Sequence, residues 1–353
     1  MTLLSTYPYY RDAEGWQTFW YPACLSTQIV SKTPRASQVL SVPLVLWRDS
    51  QGRARAFLDV CPHRQAPLSC GHLEGENISC PYHGWTFGIE GQCLRIPASG
   101  PSEKPKAKLR PFETWESGGL VWVWMGEGRA STPPAELAGK APEDGWKTVF
   151  HHISFSVAVE DLIENFMDGP HTAHVHSGVI RQATKAQARE VLVSGDSKGI
   201  RVEHEPSLET LPLLRLIGKK GPVEIRHTDT FLAPSSVKVD YWLGEEEPSF
   251  SALIAMSPNG TSDTEVFLSL ALRLGILNKP AAYFLPFLAK RILKQDADIL
   301  ALQKQNLMAM EARSMSSVAS DYPDIQVRKL RKHLKTSPEK PFLMKSKEFT
   351  LYL

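Results

Sequence analysis

The sequence predicts an α+β protein of two domains, a small antiparallel β domain at residues 1–130 and a larger domain at 146–353 with an antiparallel sheet and helices. Three observations carry this. Between about residues 38 and 124, short apolar runs alternate with turn residues. Residues 126–145 then hold Gly and Pro but few large apolar side chains. Beyond them, strand-like runs gather mid-domain with helical patterns at the ends, whereas a βαβ chain would alternate the two.

In order along the chain, "VLSVPLVLW", "RAFLDV", "CLRIPA" and "GLVWVWMG" read as strands. "DSQGR" and "IEGQC" place a glycine between such runs and suggest hairpin turns. "GEGRASTPPAELAGKAPEDG" reads as the linker. From Trp146 the run "WKTVFHHISFSVAV" opens the second domain, followed by a candidate helix at 160–168. "VKVDYWLG", "FSALIAMS" and "EVFLSLALRL" read as antiparallel strands, and an amphipathic pattern at 279–313 as a long helix. No internal repeat is evident.

A chain of 353 residues with 42% hydrophobic and 22% charged residues can bury two ordinary cores. "AAYFLPFLA" at 281–289 is far too short to span a membrane. The start, "MTLLSTYPYYRDAEG", lacks the basic and apolar regions of a secretory signal. Cys24, Cys70 and Cys93 show no framework spacing and read as free thiols in a reducing compartment, so a cytoplasmic protein is expected. Net charge is +2, but residues 328–353 carry eight Lys or Arg against two Glu, which reads as a basic solvated tail. No nucleic-acid module is present.

Two stretches carry chemistry. In "CPHRQAPLSCGHLEGENISCPYHGW", Cys61 and His63 form C-x-H, and Cys80 and His83 form C-x-x-H. Structural zinc modules usually pair like with like, Cys on one turn and His on a helix. One thiolate and one imidazole on each of two loops suits instead two metal atoms, one held by two Cys and the other by two His. A Rieske 2Fe–2S cluster has that ligand set.

The second stretch, "EDLIENFMDGPHTAHVHSG", places Asp168, His171, His174 and His176 within nine residues. Imidazoles and a carboxylate with open positions suit non-haem Fe(II). His171 and His174 would share a helical face. His171 and His176 lie about 140° apart on a straight helix and converge only if it breaks, for which Gly169 and Pro170 supply a reason. Spacing alone does not choose between His174 and His176.

These residues, with "CPYHGWTFGIEGQCLRIPA", resemble the Rieske non-haem iron oxygenases. The resemblance implies a Rieske-type β domain followed by a helix-grip (START/Bet v 1-like) catalytic domain. It implies a cluster held by Cys61, His63, Cys80 and His83, and an Fe(2+) held by His171 and His176, from the spacing Asp, two residues, His, four residues, His. The third iron ligand in the family is an Asp on a late helix. "LKQDADILALQKQN" offers Asp296, which follows Gln295 and precedes Gln303 by seven residues, with Asp298 as the alternative. In the family the Asp at position 168 is no ligand: it accepts a hydrogen bond from His171 and bridges to His83 of the partner subunit. Asn165 lies three residues before Asp168, against four in many ring-hydroxylating dioxygenases. That spacing is similar to the homotrimeric O-demethylase, phthalate and aminopyrrolnitrin-oxygenase-like enzymes and to chlorophyll-breakdown relatives. Asn165 is a candidate to line the iron site or to pack.

The expected activity is that of a terminal oxygenase, using O2 to hydroxylate, demethylate or N-oxidise an aromatic or other hydrophobic small molecule. The chain has no GxGxxG fingerprint and no ferredoxin-type cysteine set, so a separate NAD(P)H-dependent reductase, with or without a ferredoxin, must supply electrons. The rival reading is a Rieske electron-transfer or ligand-binding protein with a non-catalytic second domain. Finally, "CPYHGWTF" differs from the "CPCHGS" pattern of high-potential Rieske proteins. Trp85 replaces the Ser and Phe87 the Tyr, removing hydroxyl donors to the cluster, so a potential near the low end, about −150 mV, is expected.

Overall fold

The apolar runs resolve, in the computed structural model, into four sheets among the described residues, which are 7, 10, 15–30, 32–99, 106–177, 188–209, 221–310 and 316–352. The chain divides into two compact units, Met1–Gly139 with Ser257–Gly260, and Lys140–Met256 with Thr261–Leu353.

The first unit contains β1 (Trp20–Leu25), β2 (Arg35–Val39), β3 (Val42–Arg48), β4 (Ala54–Leu58), β5 (His72–Glu74), β6 (Asn77–Ser79), β7 (Thr86–Phe87), β8 (Cys93–Arg95), β9 (Pro111–Phe112), β10 (Thr114–Ser117) and β11 (Leu120–Trp124). They form sheets ordered β1-β11-β10, β2-β3-β4-β9 and β5-β6-β7-β8. The uninterrupted apolar run of β3 has a simple cause. Its alternate side chains feed two cores: Leu44 and Leu46 join Tyr21, Leu58, Val121 and Val123, while Val45 and Trp47 join Phe57, Leu68, Ile78 and Phe87. Trp47 stacks on Phe57 with centroids 5.0 Å apart.

Both glycine turns form, Gly52 at φ 76° and Gly91 at φ 79°, each between hairpin strands. "VLSVPLVLW" corrects the reading of one strand. It is the end of β2, a two-residue turn at Leu40 and Ser41 with φ 51° and 59°, and β3. Such turns favour Asn-Gly. Here burial of Leu40, 1% exposed, and its N–H bond to the Pro258 carbonyl at 2.9 Å hold a conformation that local propensity does not favour.

The second unit contains β12 (Lys147–Phe155), helix α1 (Val159–Met167), the single turn α2 (His171–His174), β13 (Ala188–Asp196), β14 (Gly199–Glu209), β15 (Val223–Leu232), β16 (Ser236–Leu243), β17 (Phe250–Pro258), β18 (Thr264–Leu272), helix α3 (Asn278–Ala309), helix α4 (Tyr322–Thr336) and β19 (Lys347–Tyr352). One sheet runs β12-β18-β17-β16-β15-β14-β13-β19. Helix α1 buries Val159, Leu162, Ile163 and Met167, the stripe expected at helical spacing, and packs on β15 and β16. Helix α3 packs on β12 and β18.

The basic C-terminal segment is not a solvated tail. Residues 322–336 form α4, which buries Val327, Leu330 and Leu334, and 347–352 add a strand beside β13. Arg331, 8% exposed, pairs with Glu160 of α1 at 2.6 Å, and Arg328 pairs with Glu164 at 2.6 Å. Helical spacing of apolar residues outweighed the charge count here.

Candidate metal centres

The first centre is two copies of one loop. In each, the Cys N–H donates to the carbonyl five residues on, Cys61 to Ala66 at 2.9 Å and Cys80 to Trp85 at 2.9 Å. In each, the Cys carbonyl accepts from the N–H four residues on, Gln65 at 2.8 Å and Gly84 at 3.1 Å. That fourth residue has positive φ in both loops, 58° at Gln65 and 68° at Gly84. The spacings C-x-H and C-x-x-H are therefore variants of one frame. Asp59 braces the first loop, accepting the Ser69 N–H at 2.7 Å and its hydroxyl at 2.5 Å.

Gly71 allows the loops to sit close, since a Cβ there would lie 2.0 Å from the Ser79 carbonyl oxygen. Cys61 and Cys80 are buried at 1% and 3% exposure on the core side. The His63 and His83 rings lie toward solvent with centroids 4.6 Å apart. Trp85 stacks on His63 at 4.6 Å, and Tyr82 leans on His83 at 3.9 Å. Two observations fit this site to a cluster. The His63 Nδ1 is buried with no hydrogen-bond partner among the described residues. Burial, with Cys80 beside it, pushes the Cys61 thiol up to about 11, so thiolates there call for a cation. Phe87, 0% exposed, offers no donor to the loops.

The second centre begins where α1 stops. Asp168 leaves the helix at φ −84°, ψ 100°, and Gly169 and Pro170 restart the chain in the single turn α2. This break brings the His171 and His176 rings to 5.1 Å, crossed at 75°. His174 is exposed and takes no part in this convergence. The third group comes from α3, whose buried stripe is Ala289, Leu293, Asp296 and Leu300. A carboxylate thus occupies a position where helical spacing places an apolar residue, and it is 1% exposed. Asp298, two residues on, has a side chain 63% exposed and paired with Lys294 at 2.8 Å.

Both imidazoles aim at one atom. His176 Nε2 is 3.0 Å and His171 Nε2 3.7 Å from Asp296 Oδ1, which accepts no hydrogen bond among the described residues. One ligand atom from each residue lies within 4.8 Å of the other two. Burial disfavours the His176 imidazolium, but Asp296 outweighs it and raises the ring above the usual range. The site draws in a positive charge, as a cation-binding site must.

The opposite ring nitrogens are held from behind. His171 Nδ1 is bonded to the backbone carbonyl of Asp168, and His176 Nδ1 lies 3.1 Å from Gln295 Oε1. Within the chain, then, it is the Asp168 carbonyl rather than its carboxylate that orients His171. The carboxylate is raised above its usual range, by burial first and by Asp321, with His171 opposing. Asn165, on α1, leaves its Nδ2 buried without a partner among the described residues. Sequence reasoning missed Asp324 of α4, 7% exposed and pushed up to about 8 by burial, Asp168 and Glu164. A charged residue two positions inside a helix start looks like a capping residue, so no local signal marked it.

Comparison with known proteins completes the picture. Residues 19–113 match the Rieske [2Fe-2S] domain and residues 155–336 the vanillate O-demethylase oxygenase C-terminal domain. Dicamba O-demethylase oxygenase component of Stenotrophomonas maltophilia is 31% identical over 249 residues, 69% of this chain and 68% of that protein. Vanillate O-demethylase oxygenase subunit of Pseudomonas sp. (strain HR199 / DSM 7063) is 27% identical over 333 residues, 88% and 92% of the two chains. Pheophorbide a oxygenase of Arabidopsis thaliana is 36% identical over 194 residues, 50% of this chain but 36% of that longer protein. A crystal structure of dicamba monooxygenase bound to dicamba superposes with TM-score 0.78 at 23% identity, covering 92% of this chain and 98% of that one, and so shares the fold. No helix among the described residues is long and apolar enough to cross a membrane. With a Rieske domain, a vanillate-demethylase-type catalytic domain and these relatives, the chain belongs to the Rieske non-haem iron oxygenases, which act on hydrophobic substrates with electrons from a separate partner.

Proposed function

We propose that Cys61, His63, Cys80 and His83 hold the 2Fe–2S cluster and that His171, His176 and Asp296 hold the catalytic Fe(2+). The observation that carries the iron assignment is the convergence of two imidazole Nε2 atoms on one buried carboxylate oxygen. Together the two metal groups supply one-electron storage and reductive activation of O2. The chain's own residues bind and orient. Gln295 and the Asp168 carbonyl fix each iron-binding imidazole with its proton on Nδ1 and its lone pair on Nε2. The Asp168 carboxylate links the two centres across a homotrimer, hydrogen-bonded to His83 of the partner subunit. Asn165 lines the iron site. Residues 1–130 act as the cluster domain and 146–353 as the catalytic domain.

Electrons come from NAD(P)H through a reductase, with or without a ferredoxin, in the cytoplasm. The product is a hydroxylated, demethylated or N-oxidised aromatic compound. Metal analysis and O2 uptake test the reading: about three irons per chain and substrate-dependent O2 consumption with a surrogate reductase are expected. About two irons per chain and no uptake with any aromatic substrate would favour an electron carrier. A midpoint potential well above zero would remove the oxygenase role of the cluster.

A further inference from the structure

The apolar run "AAYFLPFLA" at 281–289, too short to span a membrane, lies near the start of α3, and α3 leaves part of it on the surface. Tyr283, Phe284 and Phe287 are 68%, 66% and 67% exposed, and Leu288 is 42% exposed. The three rings are contiguous. Tyr283 meets Phe284 edge-on with centroids 5.1 Å apart and lies 6.1 Å from Phe287. Single exposed apolar side chains are ordinary, whereas a contiguous exposed aromatic group marks a contact surface.

Helical geometry shows how the sequence builds this face. At about 100° per residue, the four side chains fall within an arc of about 140°. Ala289, Leu293 and Asp296, in the buried stripe of the same helix, lie on the opposite side, and α3 packs on β12 and β18. Burial in the core of this unit therefore accounts for one face of α3 and not for the aromatic one.

The charge around the rings is of one sign. Residues 266–295 hold five Lys or Arg and no Asp or Glu, in a chain whose net charge is only +2. Four of the five are on α3 and exposed: Lys279, Lys290, Arg291 and Lys294. Lys279 and Lys290 fall about 20–40° to one side of Tyr283, and Arg291 and Lys294 continue the aromatic stripe toward the helix C-terminus. Asp298, next on that face, pairs with Lys294 at 2.8 Å, so the net positive charge of the face rests on Lys279, Lys290 and Arg291.

Protein interfaces concentrate aromatic residues but are depleted in Lys. A contact between copies would also need acidic residues to receive these three cations. An anionic bilayer meets both conditions. Its phosphates receive Lys and Arg, whose apolar stems reach down beside the rings, and aromatic side chains enter the boundary between headgroups and acyl chains. A basic helix with one apolar face is the pattern of a segment that lies on a membrane rather than crossing it.

We propose that the N-terminal half of α3 is a docking surface for an anionic lipid bilayer. Tyr283, Phe284 and Phe287 insert at the headgroup level, and Lys279, Lys290 and Arg291 meet the phosphates. The same helix carries Asp296, nine residues beyond Phe287 or about 14 Å along the axis. Docking thus sets the candidate iron centre close to the lipid, where hydrophobic small molecules concentrate. The docking itself does not depend on the metal assignment.

Co-sedimentation of the full-length holoenzyme with vesicles tests it. Vesicles of mixed phosphatidylcholine and phosphatidylglycerol should bind the protein about tenfold or more tightly than phosphatidylcholine alone, and added salt should erase most of the difference. Tyr283→Ser, Phe284→Ser and Phe287→Ser combined should weaken vesicle binding about tenfold or more, with iron content and thermal midpoint unchanged. Lys279→Gln, Lys290→Gln and Arg291→Gln combined should remove the preference for anionic lipid, and this variant serves if the first does not fold. No sedimentation of the unmodified enzyme, equal binding to both vesicle types, or full binding by the folded variants overturns the proposal. So does a change in the oligomeric mass of the aromatic variant by light scattering, which would assign the face to a contact between copies. Iron content read in the same samples reports on the metal centres alone, so their failure and that of lipid docking are separable.

Discussion

Replacing Gln295 with Leu should weaken iron binding while sparing the cluster. The Gln295 Oε1 lies 3.1 Å from His176 Nδ1, and the His176 side chain is only 2% exposed. Leu fills a similar volume but accepts nothing. An unsatisfied buried N–H costs about 1–3 kcal/mol. Loss of the acceptor also frees the ring to move its proton to Nε2, the nitrogen proposed to bind iron. Removing such a partner typically lowers metal affinity about 10–100-fold, or about 1.4–2.7 kcal/mol, which matches the first figure. Competition with a graded series of iron chelators measures the affinity, and the visible absorbance of the cluster is the internal control. Gln295→Glu retains an acceptor and should bind iron better than the Leu variant. Affinity within about twofold of the unmodified protein in Gln295→Leu would refute the tautomer argument.

Four further outcomes follow from the same geometry. Metal analysis of His171→Ala, His176→Ala and Asp296→Ala should show loss of the mononuclear iron with the cluster absorbance kept. His174→Ala and Asp298→Ala should retain the iron, and loss of the exposed Lys294–Asp298 pair should change stability by less than about 0.5 kcal/mol. Asp168→Asn should keep all the iron yet slow cluster oxidation in a single turnover with substrate and O2 by about tenfold or more, an unchanged rate sinking the bridge role. Gly71→Ala should destabilise the first unit by about 1–3 kcal/mol, read as a lower thermal midpoint and cluster loss, because its Cβ would lie 2.0 Å from a backbone oxygen. Glu265 is held below the usual carboxylate range by the His152 hydrogen bond at 2.6 Å, with burial opposing and Ser154 at 2.8 Å assisting. Its stabilisation is present above that range and lost as pH falls through the lowered value, so Glu265→Gln should flatten the acid limb of stability measured by denaturant titration.

Sequence by itself determined the α+β class and the family, and it named the Cys and His candidates of both centres, because those depend on residue types at fixed short spacings. C-x-H and C-x-x-H encode their loops locally, and Gly169–Pro170 announces the break after α1. The burial of Asp296 rather than Asp298 was legible as well: with Ala289, Leu293 and Leu300 it completes a spacing of four, three and four, and Asp298 falls off that stripe. What only tertiary structure decided depends on partners distant in the chain. The turn at Leu40–Ser41 is held by Pro258, and the basic C-terminal segment is folded by apolar contacts and by Glu160 and Glu164 of α1. His204, His227, Asp229 and Tyr241 show no motif in sequence. They meet because antiparallel register sets three strands side by side, and register is a property of the paired sheet rather than of any one strand.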